Sequence, residues 1–210
     1  MRTFEIAHTL EAADGHGEDR LLIADIGSRT VVAVADGAGG RSGAAAAAQM
    51  AVNFVKAHAA QLESRADCER LLSQMDHSIM ADRDAGETTA VVVVLGPAGI
   101  VGASVGDSGA WIVSTGGIDD LTAAQARKPF VGVGTTVPVG FQRKSLRGTL
   151  LVATDGLLKY ASRETIASTV ERSDLHDTPA ALVSLVRYAS GALPDDVGIV
   201  VCRSSPADQN

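Results

Sequence analysis

Apolar positions along this chain change their period several times, and each change marks an element. Residues 21–26 and 30–35 read as short strands, the second rich in Val, with the turn signal Gly27-Ser28 between them. After Asp36 the spacing turns helical. Residues 43–58 are rich in Ala, with Met50, Phe54 and His58 recurring every four positions, which predicts a helix with one buried face. A second helix is expected over about 66–80, with Leu71, Leu72, Met75 and Ile79 on one side. Strands return at 88–95, a continuous apolar run of the kind covered on both faces. Residues 96–99 form a hairpin turn, 100–105 the next strand, and 111–113 and 150–153 are extended. Two helices are expected near the C-terminus. The last spans 179–190, with Thr178 as cap, Pro179 in its first position and Gly191 at its end. Residues 197–202 make the closing strand. Because strands and helices come in blocks, the pattern predicts an α+β fold with antiparallel sheets and helices on their outer faces.

The length of 210 residues fits one domain, here 1–203 with a short tail at 204–210. Hydrophobic residues make up 46% but aromatics only 3%, so the core must be built from Val, Ala, Leu and Ile. A net charge of -7 argues against nucleic-acid binding, which demands a basic surface. No apolar run reaches membrane-spanning length, and residues 1–10 do not read as a secretory signal. Cys68 and Cys202 show no metal spacing and read as reduced core thiols. A monomeric cytoplasmic protein is the expectation.

Acidic residues recur where strands end. The strand at 31–35 runs into Asp36-Gly37, that at 100–106 into Asp107-Ser108, and that at 150–154 into Asp155-Gly156. Asp195-Asp196 stands directly before the last strand, and Glu18-Asp19 precedes the first. Asp-Gly is also the commonest hairpin signal. Helical sequence follows Asp36-Gly37 and Asp155-Gly156, however, where a hairpin would return a strand; at Asp107-Ser108 a plain hairpin remains open. Carboxylates gathered at one sheet rim repel each other unless cations are bound. Hard divalent ions such as magnesium or manganese take oxygen ligands. Two of them, roughly 3.5–4 Å apart, can activate water and neutralise a phosphate ester.

In this order and spacing the motifs resemble the type 2C metal-dependent serine/threonine protein phosphatases. They are Gly17-Glu18-Asp19, Asp36-Gly37-Ala38-Gly39-Gly40, Thr88-Thr89-Ala90, Gly106-Asp107-Ser108, Thr154-Asp155-Gly156-Leu157 and Asp195-Asp196. The resemblance implies a four-layer α-β-β-α sandwich, two central antiparallel sheets flanked by helices. It implies two Mg2+ or Mn2+ ions, with Asp36 bridging them. Asp155 and Asp195 would hold the first, Glu18 and the carbonyl of Gly37 the second, and Asp19 would orient metal-bound water. Glycine at 37 suits a carbonyl that turns toward an ion. Direct attack of water on phosphorus, without a phospho-enzyme, is implied as well, and so are phosphorylated protein substrates and an opposing serine/threonine kinase.

The chain departs from the family pattern in several places. Asp14 occupies the position of a phosphate-gripping Arg, for which His16 and Arg20 are the nearby substitutes. Ala38 stands where some relatives carry a proton-donating His, help typically worth about 10²–10⁴-fold. Asp107 and Asp155 match two ligands of a third metal, but Lys159 replaces a further acid, so two metals are expected. The stretch between Gly106 and Thr154 corresponds to the family's flap and is short; its residues 121–154 have a charge signature of their own. They contain no acid but include Arg127, Lys128, Arg143, Lys144 and Arg147, a local positive stretch able to draw in a phosphorylated substrate or simply a solvated loop. His8, His58, His77 and His176 show no partner pattern, and Trp111 and Met50 read as core. A protein phosphatase is the leading reading. A phosphatase of small phosphate esters and a non-catalytic phosphoprotein-binding module are the alternatives.

Overall fold

A computed structural model describes residues 4–13, 15–38 and 43–205. Its strands are β1 (Phe4–Glu11), β2 (Arg20–Ile26), β3 (Arg29–Ala35), β4 (Ala90–Gly96), β5 (Gly99–Val105), β6 (Gly109–Ser114), β7 (Gly117–Asp120), β8 (Val139–Arg143), β9 (Thr149–Ala153) and β10 (Val197–Ser204). Its helices are α1 (Ala44–His58), α2 (Arg65–Met80), α3 (Asp155–Leu158), α4 (Arg163–Arg172) and α5 (Thr178–Val186). The strands form two antiparallel five-stranded sheets, ordered β1-β10-β9-β6-β7 and β2-β3-β4-β5-β8.

Alternation along the strands builds the layers, since successive side chains leave a strand on opposite faces. In β3 and β4, Val31, Ala33, Val92 and Val94 pack against α1 and α2. Val32, Val34, Val91 and Val93 meet Ile112, Leu150, Val152 and Val200 of the other sheet. That second sheet turns Trp111, Leu151, Ile199 and Val201 outward onto Leu157, Ile166 and Leu182 of α3, α4 and α5. The result is the four-layer α-β-β-α sandwich, and it explains why the Val-rich run of β4 is apolar throughout. Each of its residues up to Leu95 is buried on one face or the other.

The Ala-rich start of α1 serves close packing. Ala44, Ala47, Ala48 and Ala51 are buried against the sheet. Gly43 precedes the helix at φ 98°, where an added Cβ would lie 2.4 Å from the Asp84 carbonyl oxygen. Ser64 and Asp67 cap α2 reciprocally.

Several elements differ from the sequence pattern. β1, β7 and β8 were not legible: β1 and β7 are edge strands whose outer residues are polar, and β8 is short and half-exposed. α5 ends at Val186 rather than 190, because the chain turns at Arg187, whose guanidinium pairs with Glu11 and donates to the Gly191 carbonyl. Asp177 holds the N-cap position instead of Thr178, which lies inside the helix with its hydroxyl donating to the Asp174 carbonyl. β10 runs through Ser204, the first residue assigned to the tail. Both cysteines are free and buried, Cys68 on the inner face of α2 and Cys202 between the sheets, and burial pushes both thiols up to about 12. Among the described residues, no helix is long and apolar enough to cross a membrane.

Candidate active site

Strand register brings the acidic motifs to one rim. In the β2–β3 pair Arg20 lies opposite Ala35, which sets Asp19 and Asp36 side by side just beyond the strands. In the β9–β10 pair Ala153 lies opposite Ile199, which sets Asp155 near Asp195 and Asp196. Thr154, fully buried, locks that second pair: its N–H donates to the Gly198 carbonyl at 3.0 Å and its hydroxyl accepts from the Gly198 N–H at 2.9 Å. β5 and β6 belong to different sheets, so Asp107-Ser108 is a crossing between sheets and not a hairpin.

The rim behaves as a nest of like charges. Burial first, and then Asp19, Asp155, Asp195 and Asp107, push the Asp36 carboxyl up to about 10. Burial, followed by Asp196, Asp155 and Asp195, pushes Asp19 up to about 7, against a lowering hydrogen bond from Thr154. Asp155 is raised as well, by burial and then by Asp107 and Asp195. Asp19 is 2% exposed, and its Oδ2 is buried with no hydrogen-bond partner. An orphaned, buried carboxylate oxygen beside other carboxylates is what a hard cation's bound water would satisfy. Among the described residues no three acidic, His or Cys side chains close into a chelating set by themselves. A magnesium-like ion completes its coordination with waters, so the carboxylates need not close into a chelate by themselves. The residues present therefore fit such ions.

Backbone clamps hold Asp36 in place. Its carbonyl accepts from the Thr89 N–H and the Thr88 hydroxyl, both at 2.8 Å, and its N–H donates to Thr89 Oγ1 at 3.0 Å. Thr89 Oγ1 is also hydrogen-bonded to Ser108 Oγ at 2.7 Å, all inside the protein. Gly37 is required for closeness: a Cβ there would stand 2.7 Å from the Ala44 carbonyl and 2.9 Å from Glu18 Cβ. Its φ is not positive, so contact with α1 and Glu18, not a left-handed turn, selects glycine. Gly156 is equally constrained, with the Asp196 carbonyl oxygen 1.8 Å from where its Cβ would be. Asp196 itself accepts from the Ala13 N–H at 2.8 Å and from the Glu18 N–H, and so fastens the Glu18 loop to the rim. Its positioning role was not read from the sequence, although the Asp195-Asp196 pair was visible there.

The remaining candidates separate. Arg20 donates to the carbonyls of Gly17 and Asp19 at 2.9 and 2.6 Å and to Gln49 at 3.0 Å, which commits it to holding the loop. His16 is exposed on that loop. Asp14, Gly39 and Gly40 lie outside the described residues. Lys159 Nζ stands 3.8 Å from Asp155 Oδ2, and Arg127 Nη2 2.9 Å from Asp107 Oδ2, so protein cations already face the edge where a third ion would sit.

The basic stretch does not form one patch. Arg143 pairs with Asp119 at 2.6 Å, while Lys144 and Arg147 line a cavity beyond the β4–β5 hairpin, at the far end of the strands from the rim. Sequence reasoning also passed over Asp76. It is 1% exposed, and accepts from the N–H groups of Gly132, Gly134 and Thr136 at 2.7, 2.9 and 3.0 Å, anchoring the flap to α2. Burial would raise its carboxyl, but the backbone donors outweigh this and hold it below the ordinary value. The signal was a carboxylate in line with Leu72, Met75 and Ile79 on the buried stripe.

A family model for protein phosphatase 2C matches residues 10–187. Among solved structures, a bacterial serine phosphatase carrying an arginine-to-alanine mutation superposes with a TM-score of 0.84 at 18% identity, over 98% of this chain and 100% of that one. The Streptococcus agalactiae (S. agalactiae) serine/threonine phosphatase gives 0.81 at 20% identity, over 96% and 100%. The Mycobacterium tuberculosis serine/threonine phosphatase PstP/Ppp gives 0.78 at 20% identity, over 96% and 99%. No curated protein matches the sequence.

Proposed function

Because the chain belongs to the protein phosphatase 2C family, we propose that it removes phosphate from phosphoserine and phosphothreonine in other proteins, at the rim formed by Asp36, Asp19, Asp155, Asp195 and Glu18. The observation that carries this reading is Asp36: its backbone is clamped by Thr88 and Thr89, and its half-buried carboxyl stands among Asp19, Asp155, Asp195 and Asp107. A bridging ligand needs that central place. Asp155 and Asp195 would hold one magnesium or manganese ion, Glu18 and the Gly37 carbonyl the other, and Asp36 both. Bound there, the ions supply positive charge against the phosphate and an activated water for direct attack on phosphorus.

The chain's own residues do the rest. Asp19 offers its unpartnered Oδ2 to a proton of the attacking water and so orients it. Asp196 and Arg20 keep the Glu18 loop against the rim. Ala38 offers no proton to the leaving alkoxide, and forgoing such help costs about 10²–10⁴-fold in rate. With Arg127 on Asp107 and Lys159 on Asp155, two ions satisfy the site and a third is not required. The substrates are the products of a serine/threonine kinase.

Phosphate release from a phosphothreonine peptide, measured with and without Mn2+, tests this. Activity is expected to depend on the metal and to fall at least about 10²-fold in Asp155→Asn, since losing a charged ligand removes transition-state stabilisation. Wild-type protein that binds Mn2+ yet releases no phosphate would replace the phosphatase by a phosphoprotein-binding module. Faster turnover of a plain aryl phosphate than of the peptide would favour small esters as substrates.

A further inference from the structure

The flap carries one cation into the site. A cleft of about 420 Å³ opens beside the rim, lined by Asp107, Trp111, Gln125, Arg127, Asp155 and Lys159 among others. Arg127 Nε and Nη2 donate to Asp107 Oδ2 at 3.3 and 2.9 Å. That contact leaves the N–H groups of Nη1 for a second acceptor. The arginine side chain is 71% exposed, so the pair is a weak surface one that a stronger anion can share.

The segment bearing Arg127 is nonetheless held firmly. Val131 and Thr88 exchange hydrogen bonds of 2.8 and 3.0 Å, and Thr88 in turn clamps Asp36. Beyond Val131, Asp76 gathers the N–H groups of Gly132, Gly134 and Thr136. Gly132 and Gly134 have φ of 108° and 78°, which lets the backbone wrap that carboxylate. Arg127 is thereby an exposed side chain on an anchored backbone, next to the carboxylates of the rim.

The other cations near the rim are less suited. Arg20 is engaged with two loop carbonyls. Lys159 is a point charge directed to Asp155, whereas a guanidinium fork matches a phosphate in two places at once. We propose that Arg127 binds the substrate phosphate, exchanging part of its contact with Asp107 for phosphate oxygens. It is a substrate-binding residue supplied by the flap, and its ligand is a phosphate monoester dianion or the inorganic phosphate released. The inference rests on the phosphatase reading for the identity of that ligand.

Calorimetry of inorganic phosphate binding to the Mn2+-loaded full chain tests it without requiring turnover, alongside KM and kcat on the phosphothreonine peptide. Arg127→Ala is expected to weaken phosphate binding and raise KM by about tenfold, the size of one lost charge-assisted interaction, with Mn2+ affinity within about twofold. Arg127→Lys should recover part of the loss, and Lys144→Ala, at the far end of the sheets, should change nothing. Unchanged phosphate affinity in Arg127→Ala, or a loss confined to Mn2+ affinity, overturns the proposal, the latter by showing that Arg127 serves Asp107 alone. A wild type that binds phosphate in an Arg127-dependent way but releases none from peptide refutes the phosphatase reading and leaves this one standing. A wild type that binds no phosphate refutes this one.

Discussion

Replacing Asp76 by alanine tests whether the flap is fastened to α2. The carboxylate is 1% exposed and is the acceptor for the N–H groups of Gly132, Gly134 and Thr136. Those three residues are only half-buried, so water can reach the freed donors and each lost bond costs no more than an ordinary protein hydrogen bond. At about 1 kcal/mol per bond, the loss is about 3 kcal/mol. For a chain of this size that lowers Tm by about 6–12 °C. The sign of the pH dependence follows from the depressed carboxyl. Its stabilisation is present above the unfolded-state pKa and is lost as pH falls through the lower folded-state value. The gap between wild type and Asp76→Ala should therefore be constant from about pH 5 to 8 and close below about pH 4. Urea unfolding in chelator gives the free-energy difference, and hydrogen exchange reports the three amides directly. A difference below about 1 kcal/mol, with unchanged exchange at Gly132, Gly134 and Thr136, would refute the latch.

Asp19 and Asp36 set the opposite trend. Their folded-state carboxyls are raised to about 7 and about 10, so the stability tied to their protonated forms is full below the unfolded value near 4 and drains away as pH rises through the folded ones. In chelator, Tm should fall between about pH 5 and 8, and Mn2+ should raise it more at the higher pH; a larger Mn2+ effect at the lower pH would contradict the buried-charge account. Thr89→Val keeps the shape but strands the Asp36 N–H and the Ser108 hydroxyl, at a cost of about 2 kcal/mol in unfolding free energy. Because the loss falls on the residue proposed to bridge the ions, kcat should drop with KM little changed, and an equal kcat in the variant would remove Thr89 from the positioning of Asp36.

Local periodicity made much of this protein legible. The alternation of β3, the Val run of β4, the Ala-rich face of α1 and the stripe of α2 are set by which side chains must be buried, and that pattern is written residue by residue. So are the acids at strand ends, because Asp36-Gly37 and Asp155-Gly156 interrupt apolar runs abruptly. β1 and β7 escaped, because half of their positions are polar and no apolar run marks them. Only the tertiary structure decided what the acids do together. Asp19 and Asp36 become neighbours through the Arg20–Ala35 register, and Asp155 and Asp195 through Ala153–Ile199. The stacking of the two sheets then brings both pairs to one rim. The choice of Arg127 over Lys144 and Arg147, and the grip of Asp76 on a turn 56 to 60 residues further on, belong to the same level. Hydrogen bonds and ion pairs act over a few ångströms, and how far apart two residues lie in the chain does not say whether folding will close that distance.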